Sequence, residues 1–546
     1  MKKTKPAKNP PQPPKSRSKY WPWIVLLAVL LCTSALRWRL LDTPLERDEG
    51  EYAYAAQLLL QGEAPYAQVY SMKMPGIYAA YAVILALFGQ THAAIHLGLL
   101  IINALTVVLM FLLARRLFDP LTGLAAAVAL ALLSLGQHVH GISANAEHFV
   151  LPLALGGIVL LLRALDTEKL WPLLLAAALL GMSFLMKQHG AAFIIFAGLY
   201  LICRQWRRQP FQWKPAIIKI TLFIIVLLLP FLITCGILAA AGAFEKFWFW
   251  TFGYAREYAA GLSLSKGYAV FVTRISDVVN LAPLLWILAG IGLISLWLNK
   301  SFRQRRDFVG GFLFFSLVAI CPGLYFRPHY FLFLLPVVSL LAGLGAAGVA
   351  ALFAPYKSAL MSKAIPLLLA GVILFQAGYQ QRKFLFFLSP ADVSRTTYPG
   401  NPFVESLEIA KYLQRHTDHN DRLAVIGSEP QIYFYTRCRS ASRYIYTYEM
   451  VRDHRHAQDM QQEMMRQVEA ARPKYLILVL IDISWGIQPP DEMQQWFQDF
   501  PRQYYRQVGV VDVFLYPKKS QYYWDQDAAG YAPQSPARIF IYQRKD

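Results

Sequence analysis

The run from Ala216 to Ala240 carries a single charged side chain, Lys219. As a helix it would extend about 37 Å, longer than the roughly 30 Å hydrocarbon core of a bilayer. Comparable apolar runs recur near 21–40, 93–113, 121–140, 149–164, 170–186, 191–203, 278–298, 309–325, 330–352 and 364–380. In lipid, backbone polar groups must be satisfied within each segment, so a chain written this way is expected to be an α-helical polytopic membrane protein. Composition agrees, with 56% hydrophobic and 16% charged residues. The formal charge of +20 would suggest nucleic acid in a soluble protein. Here much of the basic excess sits in short connectors between apolar runs, where membrane orientation accounts for it, and no nucleic-acid partner is expected. The five cysteines are scattered with no paired spacing, which supports neither a disulfide framework nor a zinc site.

Residues 1–20 form a basic, Pro-rich tail, expected to be disordered and cytoplasmic. The apolar run after it reads as a signal anchor rather than a cleaved signal peptide. No small-residue cleavage site follows it, and Leu31 before Cys32 spoils a lipobox. Arg37 and Arg39, near its far end, are expected to snorkel.

One further apolar helix, 75–89, would reach only about 22 Å. Charge decides its placement. If it does not cross, fifteen Lys/Arg after residue 93 fall on the side of the basic tail and six on the other. If it crossed, the bias would oppose the tail. The helix is therefore expected to lie at the membrane without spanning it. That leaves about eleven spans within 21–380, an inside N-terminus, an outer loop over 41–92, and residues 381–546 outside. This last part is polar, with strand-like "RLAVIG", "KYLILVLID" and "QVGVVDVFLY" and helix-like 402–416 and 454–471, which suggests a small α/β domain. No GxGxxG, Walker or GxSxG motif appears in it, and no internal repeat is evident in the chain.

Within the outer loop, "ERDEGEY" places Glu46, Asp48, Glu49 and Glu51 just past the first span. Asp48 with Glu51 reads as a capping box for a helix over 49–61, a role compatible with a functional one. Other ionisable residues fall in further outer turns: Lys73 in "YSMKMPG", Glu147 in "SANAEHFVLP", Lys187 in "FLMKQHG", and Arg327 and His329 in "YFRPHYF". Such residues at membrane depth are costly and mark function by default. Carboxylates and cations together on one face suit an anionic, lipid-linked substrate.

These motifs, "RDEGEYAYAAQLLLQG", "KMPG", "ARRLF", "ANAEHFVLP", "GMSFLMKQHG" and "RPHYFLFLLP", resemble the polytopic GT-C glycosyltransferases, nearest to the protein mannosyltransferase and aminoarabinose transferase relatives. The resemblance covers roughly 20–350, and the C-terminal α/β domain is similar to that of many members. Two positions depart from the family pattern. Lys73 is followed by Met74-Pro75-Gly76 rather than two prolines, and the second acid is Glu147 where aspartate is common.

The resemblance implies a multi-pass enzyme of the bacterial inner membrane. It would move a sugar from a polyprenyl-phosphate donor to an acceptor hydroxyl on the periplasmic side, with inversion. It implies Asp48 as general base with Glu49 as the alternative, and Glu147 positioning the acceptor or sugar. Lys73, Lys187, Arg327, His329 and Tyr330 would bind the donor phosphate. No covalent intermediate is required, no cofactor is fixed by the sequence, and a divalent cation near Asp48, Glu49 and Glu147 is an open alternative. Trp248, Trp250, Tyr254 and Tyr258 are expected in an interfacial belt rather than stacked on a sugar, and Arg256 is a lesser candidate for the phosphate. Two competing readings are a flippase or transporter of lipid-linked glycans and a membrane scaffold. The sequence does not identify the sugar or the acceptor, which could be an envelope glycan, a lipid or a protein.

Overall fold

A computed structural model describes residues 20–545 apart from 301, 357, 359, 419 and 488. The basic tail before Tyr20 and Lys357 thus lie outside the described residues. In chain order the main helices of the first two-thirds are α1 (Trp21–Arg39), α2 (Arg47–Leu60), α3 (Pro75–Phe88), α4 (His92–Leu117), α5 (Pro120–Leu133), α6 (Ala146–Thr167), α7 (Leu170–Met186), α8 (Ala191–Trp206) and α9 (Trp213–Ala240). Leu264–Asn280, Pro283–Leu298, Arg306–Ile320, Leu335–Phe353 and Ile365–Gln380 follow. The chain is a helical polytopic membrane protein with a C-terminal sheet domain. Among the described residues, α1, α4, α6, α9 and Leu335–Phe353 are each long and apolar enough to cross a membrane alone.

Three expected spans change shape. The run 278–298 is the second arm of a broken pair, Leu264–Asn280 and Pro283–Leu298, bent by 103°. Pro283 lacks an N–H and cannot continue the first arm. The run 121–140 stops at Leu133, where Arg37 takes the freed Ser134 carbonyl at 3.0 Å. The run 330–352 begins as a 3-10 turn, Pro328–Phe333, before its α-helix.

The charged ends of the bundle segregate. At one end Arg116 pairs with Asp166, Arg207 with Asp307, and Arg208 and Lys219 with Glu168. Arg305 there donates to the Leu117 carbonyl at 3.3 Å. The acidic segment 41–51 lies at the other end. Both ends of α3 are tied there, through Lys73 to Asp48 at 2.8 Å and through Gln90 to Gln57 at 2.9 Å. The two ends of α3 are thus held to the two ends of α2. Arg37 and Arg39 do not snorkel. Arg37 also bonds the Gly141 carbonyl at 2.7 Å, and Arg39 binds the carbonyls of Phe384, Leu385 and Leu388. They clamp the far end of α1 to the neighbouring turns.

The C-terminal part carries a six-stranded sheet built from β1 (Arg422–Ile426), β2 (Arg439–Ser440), β3 (Tyr475–Leu480), β4 (Tyr505–Asp512), β5 (Gln521–Trp524) and β6 (Arg538–Arg544). Its order is β2-β1-β3-β6-β4-β5. β1 runs parallel to β2 and β3, and the remaining pairs are antiparallel. β6 is central, inserted between β3 and β4.

This domain shares a core with the outer-loop helices. One apolar cluster runs from Leu45, Tyr52 and Ile77 through Ile432 and Tyr433 to Val425 and Ile541. The short helix Gln431–Thr436 lies directly on α2 at Gly50, where an added Cβ would fall 2.6 Å from the Gln431 backbone nitrogen. Gly50→Ala is expected to cost about 1–3 kcal/mol by overpacking. Thermal unfolding in detergent would read this, and a melting temperature equal to wild type would show that the contact can yield.

Candidate active site

The sequence starts α2 two residues earlier than a box on Asp48 would. Glu46 is the N-cap, accepting from the Glu49 N–H at 3.3 Å, while the Glu49 carboxylate accepts from the Glu46 N–H at 3.0 Å. Asp48 is thereby released from capping. It sits in the first turn, where the helix N-terminus favours an ionised carboxylate. Glu147 holds the equivalent second position of α6.

Glu49 braces these two helix starts. Its carboxylate accepts from the Ala144 N–H at 2.5 Å and faces His96 Nε2 at 3.0 Å. It is buried and so lies in the joint between α2 and the turn that leads into α6.

Asp48 makes a 2.8 Å ion pair with Lys73, and both side chains keep about a fifth of their surface open. Burial alone would raise the Asp48 pKa, but Lys73, with a lesser pull from Lys187, holds it well below the usual carboxylate range. Burial likewise opposes the Lys73 charge, and Asp48 and Glu51 more than restore it. The Tyr446 hydroxyl donates to the Arg47 carbonyl at 3.0 Å and lies 3.5 Å from Asp48 Oδ1.

The second pair is deeper. Lys187 Nζ meets Glu147 Oε1 at 2.5 Å, with Glu147 fully buried. The Lys187 ammonium sits 4.5 Å from the centre of the Tyr330 ring, and His329 Nε2 lies 3.9 Å from the same Glu147 oxygen. Lys187 caps the C-terminus of α7, where a cation is favoured. "KMPG" explains how α3 reaches it: a Cβ on Gly76 would fall 2.5 Å from the Leu185 carbonyl oxygen, so only glycine permits this approach. Gln188 then ties the turn to the Lys73 segment through the Met72 carbonyl at 3.0 Å.

His329 is not a standing cation. Burial, reinforced by Lys187, Lys73 and Arg327, pushes its pKa well below the ordinary value, although Asp48 pulls the other way. Arg327 is exposed and lies 5.4 Å from the Tyr325 ring centre. Arg256 is exposed and joins none of these pairs. Of the expected belt aromatics, Trp248 is exposed, but Trp250 and Tyr254 are buried against the C-terminal domain, with Trp250 stacked on Tyr70 at 5.4 Å. They are part of the inter-domain core.

The carboxylates do not form a metal-ligating set. Asp48 is matched to Lys73 and Glu147 to Lys187, and among the described residues no group of three or more His, Cys, Asp or Glu converges. Several buried polar atoms around the pairs have no partner: both side-chain atoms of Asn145, Glu147 Oε2 and both ring nitrogens of His189. Buried orphans of this kind call for water or a substrate group. An apolar cavity of about 840 Å³ lies between α4, α6 and α7. It runs from Arg115 and Arg163 at the basic end to Phe149, two residues from Glu147, and Met186, next to Lys187 in the chain.

The sequence reading missed the C-terminal residues that reach this region, Tyr446, Glu449 and Arg452. Arg452 donates to the Tyr325 hydroxyl at 2.8 Å and lies 4.5 Å from the Tyr258 ring centre. The only signal was "YIYTYEMVRD", an aromatic run with an acid and an arginine inside a domain that otherwise looked self-contained.

Residues 73–233 match the dolichyl-phosphate-mannose-protein mannosyltransferase family. This span holds Lys73, Glu147 and Lys187. No curated protein matches the sequence. Among solved structures, the chain is similar to ArnT from Cupriavidus metallidurans bound to undecaprenyl phosphate, with 14% identity, a TM-score of 0.60, and coverage of 96% of this chain and 98% of that one. It is also similar to the archaeal oligosaccharyltransferase AglB from Archaeoglobus fulgidus, in complex with an inhibitory peptide and a dolichol-phosphate. There the identity is 13% and the TM-score 0.56, over 93% of this chain and 74% of that one. At these identities the likeness is one of fold alone, and with ArnT it extends over nearly the whole of both chains.

Proposed function

We propose that the protein is a glycosyltransferase that moves a sugar from a polyprenyl-phosphate donor to an acceptor hydroxyl at the outer face of the bacterial inner membrane. The observation that carries this reading is the meeting of two carboxylate–lysine pairs, Asp48–Lys73 and Glu147–Lys187, at one end of a lipid-embedded bundle. Lys73, Lys187 and Arg327 would hold the donor phosphate, with His329 and Tyr330 beside them. The apolar cavity that ends next to Lys187 would bed the prenyl chain. The excess of basic residues at the opposite end supports an outer location for the site.

In this reading the acceptor oxygen attacks the anomeric carbon and gives its proton to Asp48. The bond from that carbon to the phosphate oxygen breaks, and its electron pair stays on the lipid phosphate. Fixed cations stabilise the developing charge. Direct displacement would invert the anomeric centre. Asp48 paired to Lys73 is a weak base. When the donor phosphate draws Lys73 away, the proton affinity of Asp48 rises. Glu49, engaged with Ala144 and His96, would serve to position Asp48 and Glu147.

The clustering of the ion pairs at one end favours an enzyme over a flippase, which needs groups accessible from both sides. Protein in liposomes, supplied with a panel of radiolabelled polyprenyl-phosphate sugars and membrane extract, should transfer label from one donor class. Donor lipid crossing the bilayer with no label transferred would replace this reading with the flippase.

A further inference from the structure

We infer that a cavity between the outer segment Phe244–Tyr254 and the C-terminal domain holds a neutral saccharide unit of the acceptor, which makes the acceptor a glycan. The saccharide site follows from the cavity. That its ligand is the acceptor rests on the transferase reading above.

The cavity measures about 330 Å³, at the lower end of the roughly 300–1,000 Å³ of small-molecule sites. One wall is the helix Phe244–Trp248 and the π-helical turn Phe249–Tyr254 that continues it. Such turns are rare and recur at functional sites. The other wall is the helix Ala457–Ala471 of the C-terminal domain. The floor is aromatic. Trp250 stacks on Tyr70 at 5.4 Å, and Tyr70 meets Tyr444 edge-on at 5.2 Å. These three rings are buried, and Phe249 beside them is half-buried. The rim carries carboxylates: Glu245 and Asp459 are exposed and Glu463 is half-buried.

Glu463 is held in place from behind. Its Oε2 accepts from the Tyr444 hydroxyl at 2.8 Å and its Oε1 from the Gln467 amide at 2.8 Å. Each oxygen keeps acceptor capacity for a further donor. Nearby basic groups are engaged away from the rim acids. Arg455 and His456 face Glu257 at 2.7 and 3.8 Å, and the Lys246 ammonium lies 5.1 Å from the centre of the Tyr70 ring. Apolar rings beside oriented carboxylates match a sugar, which offers C–H faces and hydroxyl donors together. Three acids against Lys246 repel an anionic sugar, and Lys246 on Tyr70 leaves that ring less open to a cation. An uncharged saccharide fits best.

The cavity adjoins the ion pairs without including them. Tyr70 precedes Lys73 by three residues. Gln188, next to Lys187, donates to the Met72 carbonyl at 3.0 Å and to the Thr251 carbonyl at 3.3 Å, so it ties the π-helical turn to the Lys73 segment. Yet none of Asp48, Lys73, Glu147 and Lys187 lines the cavity. A saccharide here is held apart from the donor phosphate, as the body of an acceptor glycan must be while its terminal hydroxyl reaches Asp48.

The test uses full-length protein in nanodiscs and a panel of neutral disaccharides, each with a counterpart that carries a uronic acid. Binding is read by saturation-transfer NMR, and undecaprenyl phosphate binding is measured on the same preparations. Wild type should bind at least one neutral disaccharide, and its acidic counterpart more weakly. Asp459→Asn and Glu463→Gln should each weaken that binding by about 10-fold, the loss of a hydrogen bond to a charged group. Undecaprenyl phosphate binding and melting temperature should stay at wild-type values. No binding of any disaccharide, or binding that both variants leave intact, would overturn the site. Displacement of the disaccharide by undecaprenyl phosphate would put it in the donor's space and overturn the assignment to the acceptor. A wild type that binds the disaccharide but no polyprenyl phosphate would keep the saccharide site and remove the transferase reading, and the acceptor role with it.

Discussion

Asp48→Asn should lower sugar transfer by about 10²–10⁴-fold, the loss expected when a positioned general base is removed. Donor binding should survive or tighten. In the resting protein Asp48 holds Lys73 at 2.8 Å, so in the proposed mechanism the carboxylate and the donor phosphate compete for the same ammonium. The amide leaves Lys73 free for the phosphate. Single-turnover transfer and equilibrium binding of the donor lipid, measured on the same preparation, separate the two effects. The expected pattern is slow transfer with unweakened binding. Normal transfer by Asp48→Asn would move the base elsewhere, and equal loss of transfer and binding would make Asp48 a structural group. The substitution is also mild for the fold. Asp48 is half-buried and does not cap α2, because Glu46 and Glu49 do so. Asparagine at this helix position therefore removes charge without removing a cap.

Much of the bundle was legible because lipid imposes a one-dimensional rule: an apolar run must close its own hydrogen bonds. The run 216–240 is a helix for that reason. The expectation that 75–89 does not cross rests on how charge sorts by side, and the structure adds that both ends of this helix are tied to α2. What one-dimensional rules miss is where a run breaks. The 103° bend before Pro283 and the stop after Leu133 depend on partners far along the chain, Arg37 among them. The cap of α2 was ambiguous for a simpler reason. The acids at 46, 48, 49 and 51 offer two boxes at the same spacing, Glu46 with Glu49 and Asp48 with Glu51, and only the backbone chooses.

The site was partly legible in the same way. Asp48, Lys73, Glu147, Lys187 and His329 stood out because charge at membrane depth is costly, and the structure brings them together. Tyr446, Glu449 and Arg452 carried no such mark. They sit in a domain whose composition looks soluble, where acids and arginines are ordinary. Their meeting with the membrane site follows from the shared core around Gly50 and Gln431, which has no local signature. β6 was missed although "RIFIYQR" is strand-like, because a strand near the chain end reads as peripheral when it is in fact central.

The deeper pair provides the largest stability effect. Lys187→Met leaves Glu147, fully buried, without its cation. Breaking a buried pair by removing one partner costs about 3–5 kcal/mol, most of it the penalty of the stranded charge. Lys187→Met should therefore lower the melting temperature sharply, and Glu147→Gln alone should strand the ammonium of Lys187 less severely, because Lys187 keeps the Tyr330 ring at 4.5 Å. The double variant Lys187→Met/Glu147→Gln should regain much of the lost stability, since no charge remains buried. If Lys187 holds the donor phosphate as proposed, the double variant should still fail to bind the donor lipid. This combination distinguishes a pair kept for the fold from a pair kept for the substrate. A double variant that recovered both stability and donor binding would show that the phosphate sits on Lys73 and Arg327 alone. A double variant no more stable than Lys187→Met would mean that a stranded charge is not what the single substitution costs, and that lost packing at Lys187 is.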